Sequence, residues 1–269
     1  MSDTSPARAH RRRITSEDGA EVQLLVHEPA GPARGWLVWA HGGSWQHGST
    51  VRWASITAQL CALSGWTVVS VDYRLAPAHR FPTAVFDVSA ALDWAEREAA
   101  DLPVAVGGDS AGGTIAAVAA LARRDTGGRV PPQVLAYPPL DPDCARPSYQ
   151  ASPDAFPNRS DLRAAWRLWL GTGTHHPLIH PTPLAAASLA GLAAVSLVVG
   201  DDDPVRDDVT CYAERLDADA VPTRLRTLPG VGHSDLFRPR SRALRAVATM
   251  LAEPTPTGLR PNPGKGTSS

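Results

Sequence analysis

The stretch that most constrains this chain is Gly107-Gly108-Asp109-Ser110-Ala111-Gly112-Gly113. It follows the apolar run 102–106 and precedes residues 114–121, alanine-rich and apolar nearly all round. The first run reads as a buried strand, the second as a helix packed on a sheet. Joining them in so few residues requires a tight turn that crowds its neighbours. Gly108 and Gly112 supply positions without a Cβ. The helix then directs its free N–H groups and positive dipole end back at Ser110. A phosphate-binding loop also sets glycines before a helix, but the Lys-Ser/Thr ending of a P-loop is absent. Strand, Gly-x-Ser-x-Gly, helix is the layout of a nucleophile elbow, with the serine hydroxyl exposed at the turn.

Strands and helices alternate around this stretch. Residues 14–20 and 21–28 read as two short strands around a turn at Asp18-Gly19. Further strands are expected over 35–40, 66–71, 134–137, 194–200 and 223–228. Helical stripes run over 51–64, through Val85, Val88, Leu92 and Ala95, through Val205, Val209, Tyr212 and Leu216, and over 240–251. Residues from about 141 to 187 break the rhythm with prolines, Phe156, Trp166 and Trp169, holding one helical patch over 160–170. Such a pattern implies an α/β fold with a mostly parallel sheet covered on both faces. Ligands of such sheets sit beyond the carboxyl ends of the strands. His41, Ser110, Asp203 and His233 all follow expected strands, so they should share that edge, and the 141–187 insertion would cover it.

Composition narrows the class. A chain of 269 residues that is 43% hydrophobic suits one sizeable domain, expected over 14–252, with residues 1–13 as a basic tail and 253–269 as a disordered tail. A net charge of −1 gives no basis for binding nucleic acid or an anionic membrane. No apolar segment follows the basic patch and no 18-residue apolar run occurs, so a cytoplasmic location is expected. Cys61, Cys144 and Cys211 are scattered without a C-x-x-C pair and read as reduced, mostly buried thiols. His175, His176 and His180 are interrupted by Pro177 and are not expected to hold a metal.

A serine hydroxyl needs a base, and the base an orienting acid. His233 sits in Gly230-Val231-Gly232-His233, where two glycines let the loop bring an imidazole over the sheet edge. The acid candidate is Asp203, within Asp201-Asp202-Asp203-Pro204. Asp201 or Asp202 could serve instead, and Asp203 could cap a helix with Pro204 at its first position. The order Ser, Asp, His suits an α/β-hydrolase. Gly42 and Gly43, after a strand, and Ala111, after the serine, are candidate N–H donors to an oxyanion.

Together His41-Gly42-Gly43, Asp72-Tyr73-Arg74-Leu75-Ala76-Pro77 with Phe81-Pro82, Gly108-Asp109-Ser110-Ala111-Gly112-Gly113, Asp203-Pro204-Val205-Arg206-Asp207 and Gly232-His233 resemble the hormone-sensitive lipase family of α/β-hydrolases, over residues 36–251. The resemblance implies a carboxylesterase-type serine hydrolase without a cofactor, acting on a small or medium ester through an acyl-enzyme. Ser110 would be the nucleophile, Asp203 the acid, His233 the base, and Gly42, Gly43 and Ala111 the oxyanion hole. Arg74 would hold the connection after its strand. The same residues could serve amide deacetylation, lactone opening or acyl transfer; a retired hydrolase that only binds a small molecule is the rival of another class. Family analogy allows a homodimer through the last strand and helix. Two departures stand out. Ser44 replaces the last glycine of the family's His-Gly-Gly-Gly, which would strain the loop if that position needs φ > 0. Only about 35 residues precede the first central strand, which implies a reduced cap. Ser44, Trp45, Phe156, Trp166 and Trp169 are candidate pocket walls.

Overall fold

The buried apolar runs become strands because each is short, β-branched and bounded by glycine, proline or polar residues. The computed structural model describes residues 8–151, 155–172, 176 and 179–253. Its strands are β1 (Arg8–Thr15), β2 (Glu21–Glu28), β3 (Trp36–Ala40), β4 (Thr67–Asp72), β5 (Val104–Asp109), β6 (Gln133–Ala136), β7 (Val195–Gly200) and β8 (Thr223–Leu228). Its helices are α1 (Ala54–Ser64), α2 (Thr83–Glu98), α3 (Ala111–Asp125), the single turn α4 (Ser148–Ala151), α5 (Arg159–Leu170), α6 (Arg206–Ala218) and α7 (Arg242–Ala252). The strands form one sheet in the order β1-β2-β4-β3-β5-β6-β7-β8. From β4 onward neighbours run parallel, while β2 is antiparallel to both β1 and β4.

This order fixes where the helices lie. The chain steps from β3 outward to β4 through α1, then returns across β3 to β5 through α2. Right-handed crossovers therefore place α1 and α2 on opposite faces. Helix α7 packs against α1, and α3 packs against α2. The reversal leaves a crevice between β3 and β5 at their carboxyl ends, the place where open α/β sheets bind ligands. The core sits on both sides of β5, whose six residues are all buried, and α3 is buried from Ala111 to Ala122.

The amino-terminal expectation needs correction. Arg8–Thr15 is not part of a tail but an edge strand, with Arg8 opposite Glu28 and Thr15 opposite Glu21. Residues 16–20 form the turn, closed by the Ser16 N–H donating to the Ala20 carbonyl at 2.8 Å. The strand has no buried face, so it carries no period-2 signal. Backbone pairing with β2 holds it, and its arginines discourage a further strand from adding to the edge. Residues 1–7 and 254–269 lie outside the described residues.

Arg74 follows β4 as a brace. Its Nε and Nη2 donate to both oxygens of Asp87 at 2.7–3.2 Å, and its Nη1 donates to Asp18 at 2.6 Å. The Asp87 side chain is fully buried in α2, so Arg74 is what compensates its charge. Removing one partner of a buried pair leaves an uncompensated charge, worth about 3 kcal/mol or more. Arg74→Ala should therefore lower Tm by about 6–12 °C in a thermal melt. A shift of under about 2 °C would show that Asp87 does not depend on it.

Candidate active site

Ser110 occupies the turn between β5 and α3 with φ 50° and ψ −125°, a conformation unusual for a residue with a side chain. It survives because its surroundings hold it on every side. The Ser110 N–H donates to the Ala136 carbonyl of β6 at 2.9 Å. A Cβ at Gly108 would stand 2.6 Å from the Ala40 carbonyl oxygen, and one at Gly112 would collide with the carbonyl oxygens of Ala40 and His41. The elbow can thus press against the end of β3, and Ser110 is lifted out of the sheet.

His233 arrives from the loop after β8. Its Nε2 lies 2.8 Å from Ser110 Oγ, and its Nδ1 lies 2.9 and 3.0 Å from the two oxygens of Asp203. The carboxylate accepts, so Nδ1 carries the proton and Nε2 is left to accept from the serine hydroxyl. Asp203 is 2% exposed and His233 8% exposed, so the pair works out of bulk water. Helix α6 begins only at Arg206, and the capping role open to Asp203 is not realised. Instead its Oδ1 accepts from the Val205 N–H at 3.0 Å while both oxygens face His233. Of the alternative acids, Asp201 accepts from the Gly230 N–H at 2.6 Å and braces the histidine loop; neither it nor Asp202 touches the imidazole. Asp235 secures the far side of that loop by accepting from Ser241 Oγ and the Ala243 N–H.

The loop after β3 lies across the crevice. Gly43 has φ 116°, and Ser44 and Trp45 follow at 54° and 61°. Ser44 thus adopts the left-handed conformation a glycine would favour, at a cost of about 1–2 kcal/mol. Below this loop Asp109 is buried and accepts from Trp39 Nε1 at 3.2 Å, from Trp53 Nε1 at 3.0 Å, and from the Gly42 N–H. Gly42, expected as an oxyanion donor, thus has its N–H near Asp109, whose charge it favours. Among the described residues the N–H groups of Gly43, Ser44 and Ala111 have no acceptor. His41 is buried between Tyr73 and Trp53, and its Nδ1–H donates to the Gly42 carbonyl at 2.7 Å, holding that peptide in place.

A cavity of about 420 Å³ opens over Ser110. Ser44 and Phe156 line it. Trp45, Trp166 and Trp169 do not. They form a buried cluster, with Trp45 stacked on Trp169 at 4.7 Å and tilted against Trp166 at 4.4 Å. Their apolar area is used to fasten α5, in the 141–187 insertion, to the β3 loop. The walls missed in the sequence include Arg52, Trp53, Tyr137 and Phe237. Tyr137 follows β6 just as His41 follows β3, so position after a strand could have flagged it; its ring lies 4.6 Å from His233. Trp53 was absorbed into the apolar stripe of a helix. No group of three or more side chains suited to a metal occurs among the described residues, and His175 lies outside them. No helix among the described residues is long and apolar enough to cross a membrane.

A serine, a histidine and a buried carboxylate, hydrogen-bonded in series beyond the carboxyl edge of a doubly covered sheet, define a nucleophile site of the α/β-hydrolase kind. A family model described as alpha/beta hydrolase fold matches residues 37–236, and the chain belongs to that family. The chain is 39% identical over 210 residues to carboxylesterase NlhH of Mycobacterium tuberculosis, an alignment covering 73% of this chain and 65% of that protein's length. It is 32% identical over 247 residues to an arylesterase of Saccharolobus solfataricus, covering 89% and 80%. The structure of a hyperthermophilic esterase from Pyrobaculum calidifontis is similar at TM-score 0.81 and 30% identity, covering 91% of this chain and 85% of that one. The resemblance to the hormone-sensitive lipase family is borne out by these relatives.

Burial pushes the Asp109 carboxyl up to about 7, against the opposing pull of its three donors. Its folded pKa lies above the ordinary value of 3.8. Between these values the unfolded chain releases the proton and the folded chain keeps it, so this group's contribution to stability falls as pH rises from about 4 to about 7. Asp109→Asn should remove that fall. Denaturant titrations at pH 5, 6 and 7 should show a shallower loss in the variant, by up to about 1.4 kcal/mol per pH unit. Parallel slopes would show that Asp109 titrates normally.

Proposed function

We propose that the protein hydrolyses a carboxylic ester of a small or medium substrate through an acyl-enzyme on Ser110. The hydrogen-bonded series Ser110, His233, Asp203 carries this reading. Relatives named carboxylesterase, esterase and arylesterase support it. His233 Nε2 takes the hydroxyl proton as Ser110 Oγ attacks the ester carbonyl. Asp203 holds the imidazole in the required tautomer and stabilises the imidazolium that forms. The carbonyl oxygen, now negative, is met by the N–H groups of Gly43, Ser44 and Ala111, each worth about 3 kcal/mol in the transition state. Collapse of the tetrahedral adduct expels the alcohol, which receives the proton from His233. Water then attacks the acyl-enzyme with His233 again as base, releasing the acid and restoring Ser110. A cavity of about 420 Å³ suits a short acyl or alcohol portion better than a long lipid chain.

Two measurements test this. A fluorophosphonate probe should label the wild type and leave Ser110→Ala unlabelled. With p-nitrophenyl butyrate, Ser110→Ala should lose at least about 10⁴-fold in kcat and Asp203→Asn about 10⁴-fold. Labelling with acyl-enzyme accumulation but no turnover would overturn hydrolysis in favour of transfer to another acceptor. Absence of labelling in folded protein would overturn the nucleophile itself.

A further inference from the structure

We propose that Arg52 makes this cavity selective for anionic substrates, esters that carry a carboxylate away from the scissile bond. The inference rests on the ester-hydrolase reading and names the substrate class for that site. Arg52 lines the same cavity as Ser110 and His233. Arg52 is exposed at the opening, and its guanidinium makes no ion pair or hydrogen bond within the described residues. Its guanidinium carbon lies over Trp53, 5.8 Å from the ring centre. With no partner within the described residues, its N–H groups are open to a carboxylate, which a guanidinium can bind bidentately.

The platform beneath Arg52 is fixed rather than loose. The Trp53 indole is 4% exposed, donates to Asp109 and packs edge-on against Phe237 at 4.9 Å. Asp109 is the residue before Ser110, so Arg52 is tied to the reacting serine through one indole and one carboxylate. The charge of the cavity is one-sided. Among the described residues Asp109 is the only acidic one lining it, and its oxygens accept from the Trp39 and Trp53 indoles. The remaining described walls are apolar or neutral side chains, His47 among them. A neutral ester would leave this cation unmatched; an ester with a distal carboxylate would meet it, and its approach would be steered by the same charge.

The test uses two substrate pairs that differ only by a carboxylate. One pair carries it on the acyl side, mono-(p-nitrophenyl) glutarate against p-nitrophenyl pentanoate. The other carries it on the alcohol side, 4-carboxyphenyl pentanoate against phenyl pentanoate. The readout is the ratio of kcat/KM within each pair, in which a general loss of activity cancels. In at least one pair the ratio should fall about tenfold in Arg52→Gln, be partly retained in Arg52→Lys, and fall further in Arg52→Glu. The wild-type ratio should drop with added salt, and the Arg52→Gln ratio should not. Ratios unchanged within about twofold in both pairs overturn the proposal while leaving ester hydrolysis intact. Protection is a second readout that needs no turnover: glutarate or 4-hydroxybenzoate should slow fluorophosphonate labelling of the wild type more than of Arg52→Gln. Such protection without hydrolysis of any ester would sustain the anion site and overturn the hydrolase reading.

Discussion

The contact on which the site depends is the approach of β3 to the elbow after β5. Gly108 and Gly112 have no room for a Cβ because the carbonyl oxygens of Ala40 and His41 occupy it. That approach does two things at once. It forces Ser110 into a conformation that lifts its hydroxyl clear of the sheet, and it brings the loop after β3 within reach of the same hydroxyl. A side chain at either glycine would separate nucleophile and loop together, so the two halves of the chemistry share one steric condition.

Close approach alone would leave a loop with three successive positive-φ residues poorly held. Asp109 supplies the tie from below, drawing Gly42, Trp39 and Trp53 to one carboxylate. The tryptophan cluster supplies it from the side, since Trp45 belongs to the loop and Trp166 and Trp169 to α5. Burying a carboxylate without an ion pair is unfavourable, which is why its ionisation is pushed upward. The three donors offset part of that cost. Burying three indoles is favourable by their apolar area. The geometry around Ser110 is thus held by one unfavourable burial and one favourable burial acting on the same loop.

Much of this was legible in the sequence. The alternation of strands and helices, the insertion over 141–187, Ser110, and the order of Asp203 and His233 each have a local signature: a period, a break in the period, a glycine pattern, a spacing. What was not legible depends on contacts between distant segments. Strand β1 has no buried face, and an arginine-rich strand reads as a solvated tail until its partner is known. The tryptophans 45, 166 and 169 look alike as pocket walls or as packing, because an indole serves either and only the position of α5 decides. Gly42 and Gly43 are adjacent glycines in different settings: the Gly42 N–H favours the charge of Asp109, and Gly43 takes a positive φ. Sequence identifies the loop as a donor of N–H groups; the fold decides which of them Asp109 takes.

The same distinction locates where substrate choice resides. The reacting groups come from strand ends, whose positions the sheet dictates, and their identities were readable. The walls come from the segment between β3 and α1, from the insertion near Phe156, and from the loop ending at Phe237. None of these is constrained by the sheet's periodicity. Arg52 and Trp53 are adjacent in sequence but play different parts: the indole is consumed by the structure, while the guanidinium above it keeps its hydrogen-bonding edge. Arg52 is exposed and makes no ion pair within the described residues, so its charge is available at the opening of the cavity that holds Ser110. On the proposal made above, substrate choice would lie in the electrostatics of this opening rather than in the shape of the sheet beneath it.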